Sequence, residues 1–392
     1  MRRVLYFGTY DRAVGRNAIL IDGLRSAGLE VVECHAPVWA DTRAKLRAAR
    51  GGWADLRALA RYAAAAPSLV RRHAAAGDYD ALVVGSTGHI DLPLARRLAT
   101  RSGKPLVFDP LVSVAETVRD RGLLAARSPR LGAIRAAERR LFALADLVIA
   151  DTAPHADALA TDMELPSDRF AVVPAGAPPE FRAAATPYAG AGRESNREPT
   201  LRVVYFGQYI PLHGLPTVMA AAARLLDRPD IRFELVGRGQ ELEAVRRLAD
   251  ELRLANASFT IGWLSPGQLA NEHIAPADVC LGAFGAQRKA QLVVPFKVFT
   301  GLASGRAVVT GDTPAVAGAL RRGEEVHVVP PADAAALAAA LRVLADEPGR
   351  RLGLARAGQQ AYDERFAPEK LGRLLVAALQ AAERRARGNV AR

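Results

Sequence analysis

Two of the five lysines in this 392-residue sequence lie eight residues apart, in one stretch whose residue types suit a diphosphate. The stretch runs from Phe284 to Asp312 and contains Lys289 and Lys297. Its pattern predicts a strand end, a loop of small residues, an extended segment, a helix and a second strand. Backbone amides at a helix start, together with two ammonium groups, would bind a phosphate anion. An ordinary βαβ crossover with surface lysines would show the same pattern, so both interpretations stay open.

The turn after the predicted strand LRVVYFGQY is a second place where a phosphate could lie. Gly207 and Gly214 would let the backbone approach it closely. His213 could donate a hydrogen bond to it, or it could cap a helix or lie on the surface. The turn from Gly237 to Gly239 follows another buried strand, but no third glycine completes a dinucleotide fingerprint, which disfavours a nicotinamide enzyme. Trp263 would either stack near a base or pack in the core.

In the first half of the sequence, polar residues follow predicted strands, where an open α/β sheet binds its ligands. A small-residue loop from Gly8 to Asn17 comes after the first strand. His89 in GSTGHID would face a ligand at this edge of the sheet or cap the next helix. Asp109 in VFDP would accept hydrogen bonds from hydroxyl groups or serve as an ordinary turn residue. The residues of this half that we expect to face a ligand are Gly8, Thr9, Tyr10, Arg16, His89 and Asp109.

Alternating apolar runs and helical patterns predict the elements that position these residues. The strand candidates are RVLYFGTY, EVVECHAP, ALVVGST, PLVFDP, LVIADT and FAVVPAG, followed by LRVVYFGQY, IRFELVG, ASFTIGW, DVCLGAF, AVVTGD and VHVVPP. Strand, helix and strand in repetition imply an α/β protein with two doubly wound parallel sheets. We predict a first domain at 1–182, a linker at 183–199, a second domain at 200–365 and a terminal helix at 366–392.

The composition limits the class of partner. The length and the 50% apolar content suit two domains, and no run of eighteen apolar residues predicts a membrane span. A net charge of +12 favours acidic partners, yet no nucleic-acid-binding signature accompanies it. We expect Cys34 and Cys280 to be buried free thiols of a cytosolic protein. No His or Cys cluster has metal-ligand spacing.

Residues 41–77 carry eight Lys or Arg against two Asp, and they include Trp53 and Tyr62. A basic amphipathic helix with a Trp can lie on an anionic membrane surface. A solvated arginine face would have the same composition. We therefore predict a cytoplasmic protein, with peripheral contact to the inner face of the membrane through this segment as an open alternative.

The lysine stretch resembles the donor-site segment of family-four retaining glycosyltransferases of GT-B fold. The resemblance is to bacterial members with K-A-x-x-V-x-P-x-K and a helix ending L-A-x-G. The matching residues are Lys289, Ala290, Val293, Pro295, Lys297, Leu302, Ala303 and Gly305. The turns P-L-H-G and V-G-x-G resemble the same family, and the likeness covers nearly the whole chain. It implies metal-independent transfer of a sugar, with retention, from a nucleotide-diphosphate sugar to an acceptor hydroxyl.

The resemblance implies a donor site in the second domain and an acceptor site in the first, with no cofactor. The residues expected to act in catalysis are His89, Asp109, Lys289 and Lys297. The residues expected to bind the donor are Gly207, Gln208, His213, Gly237, Arg238, Gly239, Phe284, Gly285, Ala286, Gln287, Arg288 and Thr300.

Two departures from the family pattern keep other functions open. Members of the family have a Glu-x7-Glu pair, and its second Glu binds the nucleotide ribose. This sequence has Leu292 and Thr300 at the two positions. The family also carries a basic pair, Arg and Lys, after the first strand of its second domain. This sequence has Gln208 and His213 at those two positions. A non-catalytic relative that binds a nucleotide sugar or serves as a partner subunit is one alternative. A GT-B sugar-nucleotide epimerase or phosphorylase is another, whereas P-loop, G-x-S-x-G and H-E-x-x-H templates are absent from the sequence.

Overall fold

The chain forms two compact units in a computed structural model that describes most of its residues. The first unit comprises Met1–Pro174 and Pro368–Arg392, and the second comprises Ala175–Ala367. The described residues are 1–10, 15–38, 53–125, 127–185 and 201–390, without the side chains of 53–59 and 387–390. The predicted linker lies outside them from residue 186 onward, and so does the part of the basic segment before residue 53.

The division between the units falls before the predicted domain boundary at 182. Ala175, Ala177 and Phe181 are buried in an apolar cluster of the second unit, where they pack with residues such as Val204 and Phe299. The segment from Ala175 to Phe181 therefore belongs to the second unit because its apolar side chains are buried there, although we assigned it to the first domain from the sequence.

The first unit contains a sheet of six parallel strands in the order β2-β1-β3-β4-β5-β6. Its strands are β1 (Arg3–Gly8), β2 (Glu30–His35), β3 (Ala81–Val84), β4 (Leu106–Phe108), β5 (Leu147–Ala150) and β6 (Phe170–Val172). Its central strands are nearly continuous apolar runs because helices cover both faces of a parallel sheet. The switch point lies between β1 and β3, since the chain winds away from β1 in both directions.

The helices of the first half connect these strands. They are α1 (Gly15–Ser26), α2 (Trp53–Ala75), α3 (Leu92–Ser102), α4 (Val114–Asp120), α5 (Pro129–Phe142) and α6 (Ala153–Met163). Short 3-10 turns at His89–Asp91 and Ser167–Arg169 lead into α3 and β6.

The second unit contains another sheet of six parallel strands, in the order β12-β11-β10-β7-β8-β9. Its strands are β7 (Leu201–Tyr209), β8 (Ile231–Gly239), β9 (Ala257–Ile261), β10 (Val279–Leu281), β11 (Ala307–Gly311) and β12 (His327–Val329). Here the switch point lies between β7 and β10. The loops after these two strands carry His213 and the predicted donor-site residues from Phe284 to Gln287.

The helices of the second unit cover both faces of its sheet. They are α7 (Pro179–Ala183), α8 (Leu215–Ala223), α9 (Leu242–Glu251), α10 (Pro266–Gln268), α11 (Arg288–Leu292), α12 (Phe296–Ala303), α13 (Pro314–Ala319), α14 (Ala334–Asp346) and α15 (Pro348–Ala361). A 3-10 turn at Pro211–His213 precedes α8, and π-helical turns at Leu269–Ile274 and Tyr362–Phe366 follow α10 and α15. The two doubly wound sheets confirm the predicted fold class.

The final helix, α16 (Pro368–Val390), packs along α1 in the first unit. Gly23 and Gly372 lie at the crossing, where a Cβ on Gly372 would overlap the carbonyl oxygen of Gly23. Two glycines are needed there because the helix backbones approach without intervening side chains. Cys34 and Cys280 are buried free thiols, as predicted. None of the described helices combines the length and the apolar character that a bilayer crossing requires.

Candidate functional site

The loops after β7 and β10 touch at the switch point of the second sheet. The Phe284 N–H donates to the carbonyl oxygen of His213 over 3.1 Å. Gly214 has φ +64°, and a Cβ there would lie 2.6 Å from the carbonyl carbon of Phe284. A Cβ on Gly285 would lie 2.5 Å from the carbonyl oxygen of Leu212. These glycines allow the two loops to form one continuous backbone surface.

Lys297 lies in the first turn of α12 and is 5% exposed. Among the residues that the structure describes, none forms a hydrogen bond with its Nζ atom. The ammonium stands 4.0 Å from the centroid of the Tyr205 ring, and a Cβ on Gly207 would lie 3.8 Å from Nζ. Burial lowers the pKa of Lys297 well below its ordinary value, because a charged ammonium is poorly solvated there.

The segment between the lysines is partly helical, whereas we predicted an extended conformation. It forms the short helix α11, which packs against the Pro211–His213 turn. Lys289 is partly exposed in this helix, and Arg288 and Ala286 are exposed. The Oε1 atom of Gln287 is buried and has no hydrogen-bond partner in the described part of the chain.

His213 is buried and neither caps a helix nor lies on the surface. Its Nδ1 lies 2.6 Å from the carbonyl oxygen of Gln208, which also accepts a 2.6 Å hydrogen bond from the Tyr205 hydroxyl. A carbonyl oxygen only accepts, so Nδ1 carries the proton. The Nε2 atom is therefore an acceptor in the neutral ring, and it becomes a donor only in the imidazolium form.

The glycines of the V-G-x-G turn serve strand pairing. Gly237 has φ +136°, and a Cβ there would overlap the carbonyl oxygen of Gly207. Gly239 faces the backbone of Tyr209 at similarly short range. They let β7 and β8 pair to their last residues, which holds both strand ends in register.

Arg238, between these two glycines, is exposed and lies 5.9 Å from the ring centroid of Trp263. Trp263 is 51% exposed, so the core-packing interpretation of this residue is wrong. Thr300, three residues after Lys297 in α12, is buried.

The strand end of β1 in the first unit is closed by a carboxylate. Asp91 Oδ2 accepts hydrogen bonds from the Thr9 amide over 2.9 Å and from the Thr9 hydroxyl over 3.1 Å. It lies against Gly8, where a Cβ would meet it at 2.5 Å. Tyr10 is buried and donates to Glu33 over 2.8 Å.

Arg16 and Asp109 pair with each other, although we predicted separate roles for them. Arg16 lies in the first turn of α1 rather than in the loop, and both side chains are about 1% exposed. Nε donates to Oδ2 over 3.0 Å and a terminal nitrogen donates to Oδ1 over 3.3 Å. Burial raises the pKa of Asp109, and the guanidinium opposes that shift. The guanidinium also donates to the carbonyl oxygen of Pro174.

His89 packs inside the first unit. Its ring centroid lies 5.1 Å from that of Phe108, and its Nε2 lies 3.4 Å from Oε1 of Glu138. Burial opposes ionisation of Glu138, but His89 and two backbone amides hold its pKa below the ordinary value. The N-cap of the following helix is Asp91, so the helix-capping alternative for His89 is wrong.

Sequence reasoning missed several residues at these strand ends. Asp91 stood in a motif that we quoted only for His89. Asp151 follows β5, and its Oδ1 lies 2.5 Å from Nδ1 of the buried His155. An acid at a strand end with a histidine four residues later was a usable signal. Glu241, just before α9, carried no sequence signal.

Two family models match the chain. The model described as "Glycosyl transferase 4-like domain" matches residues 11–176, and the model described as "Glycosyl transferases group 1" matches residues 200–347. Together they span most of the sequence. The chain belongs to the glycosyltransferases. No curated protein matches this glycosyltransferase in a sequence comparison.

Solved structures of low sequence identity share its fold. Sucrose-phosphate synthase from Thermosynechococcus elongatus is 17% identical with a TM-score of 0.72, over 97% of this chain and 98% of that one. HepE from Anabaena, in complex with UDP, is 14% identical with a TM-score of 0.68, over 97% and 100%. The lipopolysaccharide outer core galactosyltransferase WaaB is 11% identical with a TM-score of 0.60, over 97% and 99%. The predicted GT-B fold is thereby confirmed.

Proposed function

We propose that this glycosyltransferase moves a sugar from a nucleotide-diphosphate sugar to an acceptor hydroxyl, with retention and without a metal. The second unit binds the donor and the first unit binds the acceptor. One observation carries the proposal: a buried ammonium, Lys297, stands without a hydrogen-bond partner among the described residues at the switch point of the second sheet. Ligands of open α/β sheets bind at such switch points.

An unpaired buried ammonium is costly in the ligand-free protein. Removing an ion from water costs several kcal/mol unless an opposite charge compensates it. The Tyr205 ring offsets a part of this cost through a cation–π contact. A diphosphate beside Gly207 would supply the missing negative charge. Because Gly207 has no side chain, a ligand can approach its backbone within reach of Nζ. The free-energy cost of the empty site thus favours an anionic ligand.

The same charge assists the chemistry. As the bond between the anomeric carbon and the diphosphate oxygen breaks, its electron pair stays on the leaving diphosphate. A preorganised donor next to that oxygen stabilises the transition state by about 2.7–4 kcal/mol. In this proposal Lys297 supplies that stabilisation and Lys289 adds to it. The Gln287 side chain and the loop amides from Phe284 onward hold the sugar hydroxyls.

Roles in the first unit follow from the predicted acceptor site. Gly8, Thr9 and Tyr10 border the acceptor, while His89 and the pair of Arg16 with Asp109 shape the ends of the strands behind it. HepE has been solved with UDP and with UDP-glucose. UDP-sugars are therefore the first donors to test.

The test is calorimetric titration with UDP, ADP and GDP in the presence of EDTA. We expect one of them to bind the wild-type protein. Lys297→Met should weaken that binding by roughly 10- to 100-fold, the usual value of a hydrogen bond to a charged group. Lys104→Met is the matched control, because Lys104 is a surface lysine paired with Asp78 in the first unit. Equal affinities of wild type and Lys297→Met would refute the diphosphate site.

Turnover separates the enzyme from its alternatives. The sugar conjugate of the nucleotide that binds should lose its sugar to an acceptor, and NMR of the product should show the donor's anomeric configuration. Donor binding without turnover over a broad acceptor panel would favour a non-catalytic binding protein. Product formation without acceptor, or with consumption of phosphate, would favour an epimerase or a phosphorylase.

A further inference from the structure

We infer that Glu241 binds the ribose hydroxyls of the donor nucleotide in place of the carboxylate that position 300 lacks. This inference rests on the proposed function. Glu241 lies between β8 and α9, and its Oε2 atom is buried. No hydrogen-bond partner for that oxygen occurs in the described parts of the chain.

Glu241 and Lys297 flank the end of the same strand. The backbone N–H of Glu241 donates to the carbonyl oxygen of Tyr209 over 3.1 Å, whereas Lys297 stands beside Gly207. These two positions of β7 are two residues apart, which is about 7 Å along a strand. Both side chains also lie near Tyr205. The pKa of its hydroxyl is raised by burial and by the charges of Tyr209 and Glu241, and the Lys297 ammonium stands 4.0 Å from its ring.

The two side chains carry opposite charges but do not pair with each other. Neither Glu241 Oε2 nor Lys297 Nζ has a hydrogen-bond partner among the described residues. Each side chain therefore keeps an unsatisfied buried atom after folding, which is unfavourable. A ligand with an anionic group at one end and hydroxyl donors at the other would satisfy both atoms. A nucleoside diphosphate has this arrangement.

The chemistry of Glu241 matches a diol. An ionised carboxylate accepts hydrogen bonds only, and the vicinal hydroxyls of ribose are donors. Burial raises the pKa of Glu241, so the ligand-free site favours the protonated form more than water does. Hydroxyl donors favour the ionised form. Thr300 is buried in α12 and has no carboxylate to compete for this role.

The experiment compares matched ribose and deoxyribose nucleotides. Binding of UDP, 2′-deoxy-UDP and 3′-deoxy-UDP is measured by titration, with the corresponding ADP or GDP sets if those bases bind better. We expect wild type to lose roughly 10- to 100-fold in affinity for at least one deoxy nucleotide. In Glu241→Gln this penalty should fall below about 3-fold, because a neutral amide accepts a weaker hydrogen bond.

Glu243→Gln is the matched control, since Glu243 is exposed two residues later in the first turn of α9 and should keep the wild-type penalty. If Glu241→Gln does not fold, Glu241→Asp replaces it in the test, because it keeps the carboxylate and the net charge of the wild type. Its affinity penalty for the deoxy nucleotide should lie between that of the wild type and none. Thr300→Glu added to Glu241→Gln should restore part of the discrimination.

The outcomes separate this inference from the proposed function. If the deoxy penalty is the same in wild type and in Glu241→Gln, the role of Glu241 is refuted. A loss of binding in Lys297→Met would still support the diphosphate site in that case. If no nucleoside diphosphate binds wild type, both are overturned.

Discussion

The first strand of each unit ends with the same pattern, Tyr-Phe-Gly-x-Tyr, but the two strand ends differ in chemistry. The pattern is Tyr6–Tyr10, which runs two residues past the end of β1, and Tyr205–Tyr209 at the end of β7. Its glycines, Gly8 and Gly207, have φ +125° and +121°. The side chain next to Gly8 is the carboxylate of Asp91, whereas the side chain next to Gly207 is the ammonium of Lys297.

This difference shows that the neighbouring element, rather than the strand, decides what a strand end can bind. The Asp91 carboxylate already accepts two hydrogen bonds from Thr9, and its negative charge repels an anion. The Lys297 ammonium has no hydrogen-bond partner in the described chain and attracts one. Hydrogen bonds within the first unit hold the carboxylate at one strand end, and we propose that a ligand completes the other.

The largest expected effect concerns the internally paired end in the first unit. Arg16→Met should lower the free energy of unfolding by about 3–5 kcal/mol, because it leaves the buried Asp109 carboxylate uncompensated. Arg16→Met with Asp109→Leu should recover most of the loss. Arg25→Met, at an exposed position of α1, should cost less than about 1 kcal/mol. Urea denaturation measures all three variants.

The pH dependence of this loss has a definite sign. Burial raises the folded-state pKa of Asp109, and removal of Arg16 raises it further. The folded state then binds more protons than the unfolded state, so stability falls as pH rises from about 4 through the folded pKa. The loss in Arg16→Met should therefore grow with pH in that window. A loss that does not change with pH would contradict the ion-pair explanation.

An intermediate effect should distinguish the two glycines. Gly207→Ala places a side chain in a strained backbone conformation and should cost about 1–3 kcal/mol. Gly8→Ala has the same strain and also a collision with Asp91 at 2.5 Å, so it should cost about 2–4 kcal/mol. Calorimetry measures both variants. Equal costs would mean that Asp91 moves away freely and that the first strand end is not closed.

The smallest effect is a gain in stability. Lys297→Met should stabilise the ligand-free protein by about 1–3 kcal/mol at neutral pH, because it removes an unpaired buried charge. Burial lowers the folded-state pKa of Lys297, so between that value and about 10.4 the unfolded state binds more protons and wild-type stability rises with pH. The gap between the two proteins should therefore shrink as pH rises. Denaturation series between pH 6 and 9 measure it, and a gap without pH dependence would contradict burial of the charge.

Much of the fold was predictable from the sequence. Each of the apolar runs proposed as a strand contains a strand of the structure, because strands buried on both faces must be apolar along their length. The least accurate assignment was local. Residues Arg288 to Leu292 form a helical turn where we predicted the end of a loop followed by an extended segment. In this conformation the segment packs against the Pro211–His213 turn, which is distant in sequence.

The candidate site was predictable only in part. Residue types and spacing pointed to Lys297 and to the loops at the second switch point. The same reasoning assigned separate ligand roles to Arg16 and Asp109, which bind each other across 93 residues of chain. It also gave His89 a role at a ligand, which stays a prediction; the structure places the ring against Phe108 and near Glu138.

The sequence by itself determined two α/β units, their strands and the glycines at their strand ends, because periodicity and turn chemistry are local properties. Only the tertiary structure decided which charges are satisfied internally. The partner of a buried charge comes from another strand or helix, as Asp91 comes to Thr9 and Asp109 to Arg16. Whether a side chain is a structural ion or a ligand contact depends on that partner, and for Lys297 Nζ, as for Glu241 Oε2, the described chain supplies no hydrogen-bond partner.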